Sequence, residues 1–220
     1  VDYNRGGVPL IEIVSEPDLR SAEETIAYLE KLKSILQYLG VSDCKMQEGS
    51  MRADVNISVR PVGSETFGIR SEIKNMNSFK AISRAIEAET KRHIEILESG
   101  GTVVQETRRW DENKDATFAM RTKENAHDYR YFPDPDLPPI SVSEEQIRAL
   151  TESLPELPEA KAKRYVAEFG LTDYDASILI SSKYLANLFE EATALCGNPK
   201  EVANMVMGDL MKLLNDNNML

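Results

Sequence analysis

The chain has 220 residues, room for one large domain or two small ones, and its 41% hydrophobic and 29% charged residues describe an ordinary globular protein. Its formal charge of −11 argues against an autonomous, nonspecific nucleic-acid binder, which carries a basic footprint, and no apolar run approaches the roughly 20 residues that cross a bilayer. Cys44 and Cys196 stand far apart, as do His93 and His127, so neither a disulfide framework nor a zinc site is expected, and the thiols fit a reducing cytosol.

Asn4-Arg5-Gly6-Gly7-Val8-Pro9 supplies turn chemistry, and Leu10-Ile11-Glu12-Ile13-Val14 after it predicts a strand with one carboxylate at its centre. A Glu among aliphatic residues is costly to bury unless it is paired, protonated or bound to a cation. The alternative is an edge strand that turns Glu12 to water. Ser21-Ala22-Glu23-Glu24 has the form of a capping box. Ile26, Leu29, Leu32, Leu36 and Leu39 then recur at helical spacing up to Gly40, which predicts a long amphipathic helix over 21–39.

Residues 53–59 alternate strictly, with Val55, Ile57 and Val59 on one side and Asp54, Asn56 and Ser58 on the other. Pro61-Val62-Gly63-Ser64 leads to a second strand over 67–74, where Ile69, Ser71 and Ile73 alternate with Arg70, Glu72 and Lys74. The short turn predicts antiparallel pairing. Asn75-Met76-Asn77-Ser78 offers caps for a second long helix over 79–98, with Phe79, Ile82, Ile86 and Leu97 on its apolar side and Gly100-Gly101 at its end. Residues 102–106 and 117–121 are expected to form another strand pair, with Thr107-Arg108-Arg109-Trp110-Asp111-Glu112 between them.

From Asp128 to Pro139 the chain is too rich in Pro for a regular element and is expected to be an extended connector. Helices follow over 143–153, 159–169, 173–181, 183–196 and 199–216. The expected fold class is therefore α+β, an antiparallel sheet with flanking helices over 1–141, followed by a small all-α helical domain over 142–220.

Glu12, Asp54, Asn56, Glu72 and Lys74 can meet on one sheet surface. Carboxylates with an amide and a cation hold Mg²⁺ and phosphate oxygens, and Arg52 and Arg70 can add phosphate contacts. A simply solvated sheet face explains the same alternation. No P-loop, no G-x-G-x-x-G and no nucleophile elbow occurs. Tyr129, Tyr131, Phe132 and Trp110 either anchor a loop on the core or stack on a base. Lys161, Lys163 and Arg164 either form a solvated helix face or touch a nucleic acid.

Five segments carry a resemblance. They are Asn4 to Asp18, Glu48-Gly49-Ser50-Met51-Arg52-Ala53-Asp54-Val55-Asn56, Glu72-Ile73-Lys74-Asn75-Met76-Asn77-Ser78-Phe79, Gln105-Glu106-Thr107-Arg108, and Asp128-Tyr129-Arg130-Tyr131-Phe132-Pro133. Together they closely resemble the B subunits of the aspartyl/glutamyl-tRNA(Asn/Gln) amidotransferases. Beyond 143 the likeness is looser, carried by Leu154-Pro155-Glu156-Leu157-Pro158 and the helices after it.

The resemblance implies a glutamine-synthetase-like cradle, here partial, that uses ATP and Mg²⁺ to phosphorylate the side-chain carboxylate of Glu or Asp misattached to tRNA, as Glu-tRNA(Gln) or Asp-tRNA(Asn). Ammonia from a glutaminase subunit then displaces the phosphate, a small third subunit straps the two together in a heterotrimer, and the assembly is cytoplasmic. By the same resemblance Glu12 and Glu72 are expected metal ligands, and Arg52, Asp54, Asn56 and Lys74 catalytic neighbours, with Arg52 and Lys74 binding the nucleotide phosphates. The family's Glu-Val-His and His-Met-Glu-Glu-Asp segments do not occur in these 220 residues, nor does its tRNA-binding tail domain. The chain is therefore expected to be a piece of a longer protein and, alone, not to complete a metal site. Two other readings stay open: a glutamine-synthetase-like ligase acting on a small free carboxylate, and a noncatalytic scaffold that binds the glutaminase and the small subunit.

Overall fold

The structure is a computed structural model that describes residues 4, 6–122, 132–133 and 135–217. Asp128 to Tyr131, including the aromatics Tyr129 and Tyr131, lie outside the described residues.

Helix α1 runs Ala22–Tyr38. Ser21 caps it by accepting from the Glu24 amide at 3.1 Å, while the Glu24 carboxylate accepts from the Arg20 amide, one residue before the cap, at 2.6 Å. Gly40, at φ 70°, ends the helix in the left-handed region that a side chain resists. Strands β1 (Val55–Ile57) and β2 (Ser71–Lys74) pair antiparallel as expected, although both are shorter than the alternation suggested. In the connection between them a Cβ on Gly68 would lie 2.2 Å from the Val59 carbonyl oxygen, so only glycine permits that close approach. Helix α2 spans Phe79–Glu98, with Ser78 accepting from the Ala81 amide at 3.0 Å.

Three expectations about the strands need correction. The third and fourth strands are β3 (Glu106–Asp111) and β4 (Ala116–Thr122), so the run expected between strands is itself β3. Its charges are tolerated because they are paired: Arg108 meets Thr117, Glu89 and Glu106. Glu112 to Asp115 make the turn, with Asp115 at φ 50°. Second, the sheet is mixed. In the order β1-β2-β3-β4, β2 pairs with β3 in parallel, because α2 returns the chain to the same end of the sheet before β3 begins. Third, residues 10–14 form no strand, and Leu10 and Val14 are 81% and 82% exposed. Branched residues favour a strand only where a neighbour takes up the backbone hydrogen bonds and one face.

One sheet face packs on α2. Ile73, Trp110, Ile82, Ala85 and Ile86 are buried together there, joined by Ala22 and Leu29 of α1. A second core joins α4 (Pro158–Phe169), α5 (Asp173–Leu179), α6 (Lys183–Cys196) and α7 (Pro199–Met205), preceded by an α3 (Glu144–Ser153) with no buried residue. Tyr165, Phe169 and Phe189 meet in this core with ring centroids 4.9–5.7 Å apart. The single helix expected over 199–216 is α7, a π-helical turn at Val206–Leu210 and α8 (Met211–Asp216). The wider turn turns Val206 and Leu214 onto the same core.

The two cores touch through the end of α1. The Tyr38 hydroxyl donates to the Ile180 carbonyl at 2.8 Å, and Lys183 donates to the Tyr38 carbonyl at 2.8 Å. Lys161 and Arg164 do not lie on a solvated face. Lys161 is buried against Glu190, and Arg164 forks onto Glu156 and Glu190; Lys163 alone of the three is exposed, paired with Glu159 at 3.0 Å. Among the described residues, no helix is long and apolar enough to cross a membrane.

Candidate active site

Side chains alternate along a strand, so the register decides which residues share a face. Val55, Ile57, Ser71, Ile73, Arg108 and Trp110 turn toward α2. Asn56 lies opposite Glu72 on β1, Thr107 opposite Glu72 on β3, and Arg109 opposite Lys74, so these five residues occupy the other face. Asp54, just before β1, joins them through Lys74.

Lys74 is the centre of this face. Its ammonium lies 2.5 Å from Asp54 Oδ2 and 3.1 Å from Glu72 Oε1. The hydrogen bond to Asp54 raises its pKa most, burial opposes the rise, and Glu72 adds to it, so the cation persists at neutral pH. Thr107 donates to Glu72 Oε2 at 2.8 Å and fixes the carboxylate from the far side. The result is a preset cation between two carboxylates, with an amide and a second cation on neighbouring strands.

Asp54, Asn56, Glu72 and Lys74 are therefore brought together, and Arg52 and Glu12 are not. Arg52 is exposed in the approach to β1, and Glu12 is exposed in the irregular 10–14 segment. Among the described residues no group of three or more His, Cys, Asp or Glu side chains could hold a metal ion. The donors present nonetheless suit Mg²⁺ in kind, because Asp54 and Glu72 supply hard carboxylate oxygens close enough to share one cation, as they share Lys74.

Sequence reasoning missed Thr107, which no periodicity marks, and a buried polar cluster behind the same strands. Glu89 and His93 are fully buried on α2. Their spacing was a usable signal: 82, 86, 89 and 93 step round one face of the helix, so the two polar residues fall on its apolar side. Cavities of about 550 Å³ between α1 and α2 and about 460 Å³ under residues 59–69 contain none of the candidate residues.

The model of the GatB/GatE catalytic domain family matches residues 1–148. Three similar relatives are each named as the B subunit of an aspartyl/glutamyl-tRNA(Asn/Gln) amidotransferase. The protein of Lachnoclostridium phytofermentans is 65% identical over 216 residues, covering 98% of this chain and 45% of that protein. That of Caldicellulosiruptor saccharolyticus is 63% identical over 216 residues, covering 98% and 45%. That of Agathobacter rectalis is 63% identical over 219 residues, covering 100% and 46%. The chain thus spans a little under half the length of the curated relatives it matches.

Proposed function

Because the chain belongs to the GatB/GatE catalytic domain family, we propose that it is the carboxylate-activating part of a tRNA-dependent amidotransferase. In the first step the γ-phosphoryl of ATP passes to the side-chain carboxylate of a Glu or Asp misattached to tRNA, giving an acyl phosphate and ADP. In the second, ammonia attacks the acyl carbon, phosphate leaves, and the amide forms. A carboxylate is a poor acyl donor, and the phosphate supplies the missing leaving group.

The observation that carries this reading is the preset Asp54–Lys74–Glu72 arrangement on a sheet face also occupied by Asn56 and Arg109. Phosphoryl transfer is catalysed mainly by positioning and charge stabilisation, which this set provides without rearrangement. Lys74 draws charge from the phosphate oxygens, and Arg52, exposed in the approach to β1, is proposed to reach them from outside the preset set. Asp54 and Asn56 orient the nucleotide and substrate neighbours. Mg²⁺, when bound, would neutralise phosphate charge; Glu72 and Asp54 would hold it, and Glu12 would join them only if the 10–14 segment moved to this face. We place this chemistry in residues 1–141 and a supporting role in residues 142–220. A glutaminase partner as ammonia source, a small third subunit in the same complex, and a cytoplasmic location complete the proposal.

The test uses the full-length protein in its assembled complex. Glu72→Gln and Lys74→Met should each lower ATP-dependent amidation of Glu-tRNA(Gln) or Asp-tRNA(Asn) about 100-fold or more, while glutaminase protein and assembly persist. Near-normal rates in both variants would overturn the assignment. Amidation of free Glu at a comparable rate would favour a small-carboxylate ligase instead.

A further inference from the structure

We propose that Glu89 is a positioning residue for the candidate active site, holding β2, β3 and β4 from the side of the sheet opposite Glu72 and Lys74. The inference rests on the reading of that face as active.

Glu89 is fully buried on α2, yet its contacts lead to three strands: a hydrogen bond from Thr117 on β4, an ion pair with Arg108 on β3, and a path through His93 to Ser71 on β2. Its Oε1 accepts from Arg92 Nη2 at 2.6 Å and lies 3.1 Å from His93 Nε2. Its Oε2 accepts from Thr117 Oγ1 at 2.5 Å and from Arg92 Nε at 3.1 Å, and lies 3.3 Å from Arg108 Nε. His93 Nε2 also lies 2.9 Å from Ser71 Oγ. Because a carboxylate only accepts, a bond from His93 to Glu89 requires a proton on Nε2. One carboxylate therefore reaches β2 through His93 and Ser71, β3 through Arg108, and β4 through Thr117. Arg108 adds bonds at 2.8 Å to both the hydroxyl and the carbonyl of Thr117, and an ion pair to Glu106.

These anchors sit one residue from the candidate site. Ser71 precedes Glu72, and Arg108 follows Thr107, the residue that donates to Glu72 on the other face. In a pleated strand, fixing one side chain on one face fixes its neighbour on the other. The anchors also meet the irregular place in the sheet, the register shift against β4 between Thr107 and Arg108.

Stability does not account for such a group. Burying ions costs several kcal/mol each, and apolar replacement of a whole buried ion network is often neutral or stabilising. Glu89 nevertheless stays ionised. Burial pushes its carboxyl up, but the hydrogen bonds from His93, Arg92 and Thr117 prevail and hold it well below the usual carboxylate range. Glu89 and Glu106 balance Arg92 and Arg108 charge for charge.

The experiment compares Glu89→Gln, Ser71→Ala and Glu72→Asp, singly and combined, in the whole complex. Glu89→Gln should lower kcat for amidation about 10- to 100-fold, the loss expected from a displacement near 1 Å, with KM for the aminoacyl-tRNA unchanged. Ser71→Ala, which removes only the link to β2, should lower kcat less and serves if Glu89→Gln does not fold. In the Glu72→Asp background Glu89→Gln should cost much less than it does alone, since it acts through Glu72. Unchanged kcat in a folded Glu89→Gln or Ser71→Ala protein would overturn the proposal, as would a loss fully additive with Glu72→Asp, the mark of a purely structural role. Wild-type activity in Glu72→Asp would instead bring down the reading of the site, and this inference with it.

Discussion

Replacing Lys161 by Glu is expected to unfold the helical part of the chain or lower its stability by about 3–5 kcal/mol, the usual cost of an uncompensated buried charge. Lys161 is 7% exposed, and its ammonium lies 2.7 Å from Glu190 and 3.6 Å from Glu156. Arg164 shares both carboxylates, and the Tyr165 hydroxyl donates to Glu190 at 3.0 Å. A third carboxylate among these groups would face two others where one cation remains.

Lys161→Met is the control. It keeps the aliphatic stem and leaves Glu190 its bonds from Arg164 and Tyr165, so its cost should stay near 1 kcal/mol. Urea or thermal unfolding followed by far-UV circular dichroism reads both variants, and wild-type melting of Lys161→Glu would refute the account. Glu190 and Glu156 add an acid dependence. Burial raises the Glu190 carboxyl, but Lys161, Arg164 and Tyr165 outweigh it and lower the pKa; Arg164 above all lowers that of Glu156. The unfolded chain therefore takes up these protons first. The contribution is complete above the ordinary value of 4.5 and is lost as pH falls through the lower folded values. One practical result concerns tRNA: reversing Lys161 or Arg164 would damage the fold, so Lys163 is the residue of the three whose charge can be changed to probe a nucleic-acid contact.

Trp110→Ala should cost the other core about 3–5 kcal/mol. Trp110 is 2% exposed on β3, packed with Ile73, Ile82 and Ile86 between the sheet and α2. Trp110→Phe should be far milder. It keeps an aromatic ring in the slot, and the indole Nε1 that it removes is buried without a hydrogen-bond partner among the described residues. Trp110 is the chain's single Trp, so wild-type fluorescence reports on this core alone, whereas circular dichroism is weighted to the helices. Denaturant midpoints of the two variants decide the matter; a Trp110→Ala protein within 1 kcal/mol of wild type would mean that the cluster repacks around the cavity.

What the sequence made legible is what neighbouring residues determine. Ser21 and Ser78 mark helix starts, Gly40 and Gly100 mark ends, and α1 and α2 follow within a residue or two. The alternation at 53–59 and 67–74 placed Asp54, Asn56, Glu72 and Lys74 on one face, because a period of two is a local property. The misses depend on distant partners. A Glu on the apolar side of a helix is unremarkable until Thr117 and Arg108 are found against it, and Lys161 passes for a surface residue until Glu190 is. β3 was misplaced because Arg108 and Arg109 argue against a strand unless their pairing across the sheet is known. The 10–14 segment erred in the opposite direction: its branched residues are locally strand-like, but pairing is a property of two segments.

The parallel seam between β2 and β3 bears on how the chain is made. The β1–β2 and β3–β4 pairs close over short stretches, but β2 and β3 cannot meet until all of α2 and then β3 have been synthesised. At about 5–20 residues per second that interval is on the order of seconds, long compared with the microseconds in which helices and hairpins form. Throughout it, the β2 edge next to Glu72 stands open on the nascent chain, and an open edge is where another strand or a chaperone binds. Early folding of α2 over Ile73 would shelter one face of that edge, and the arrival of β3 would close the seam.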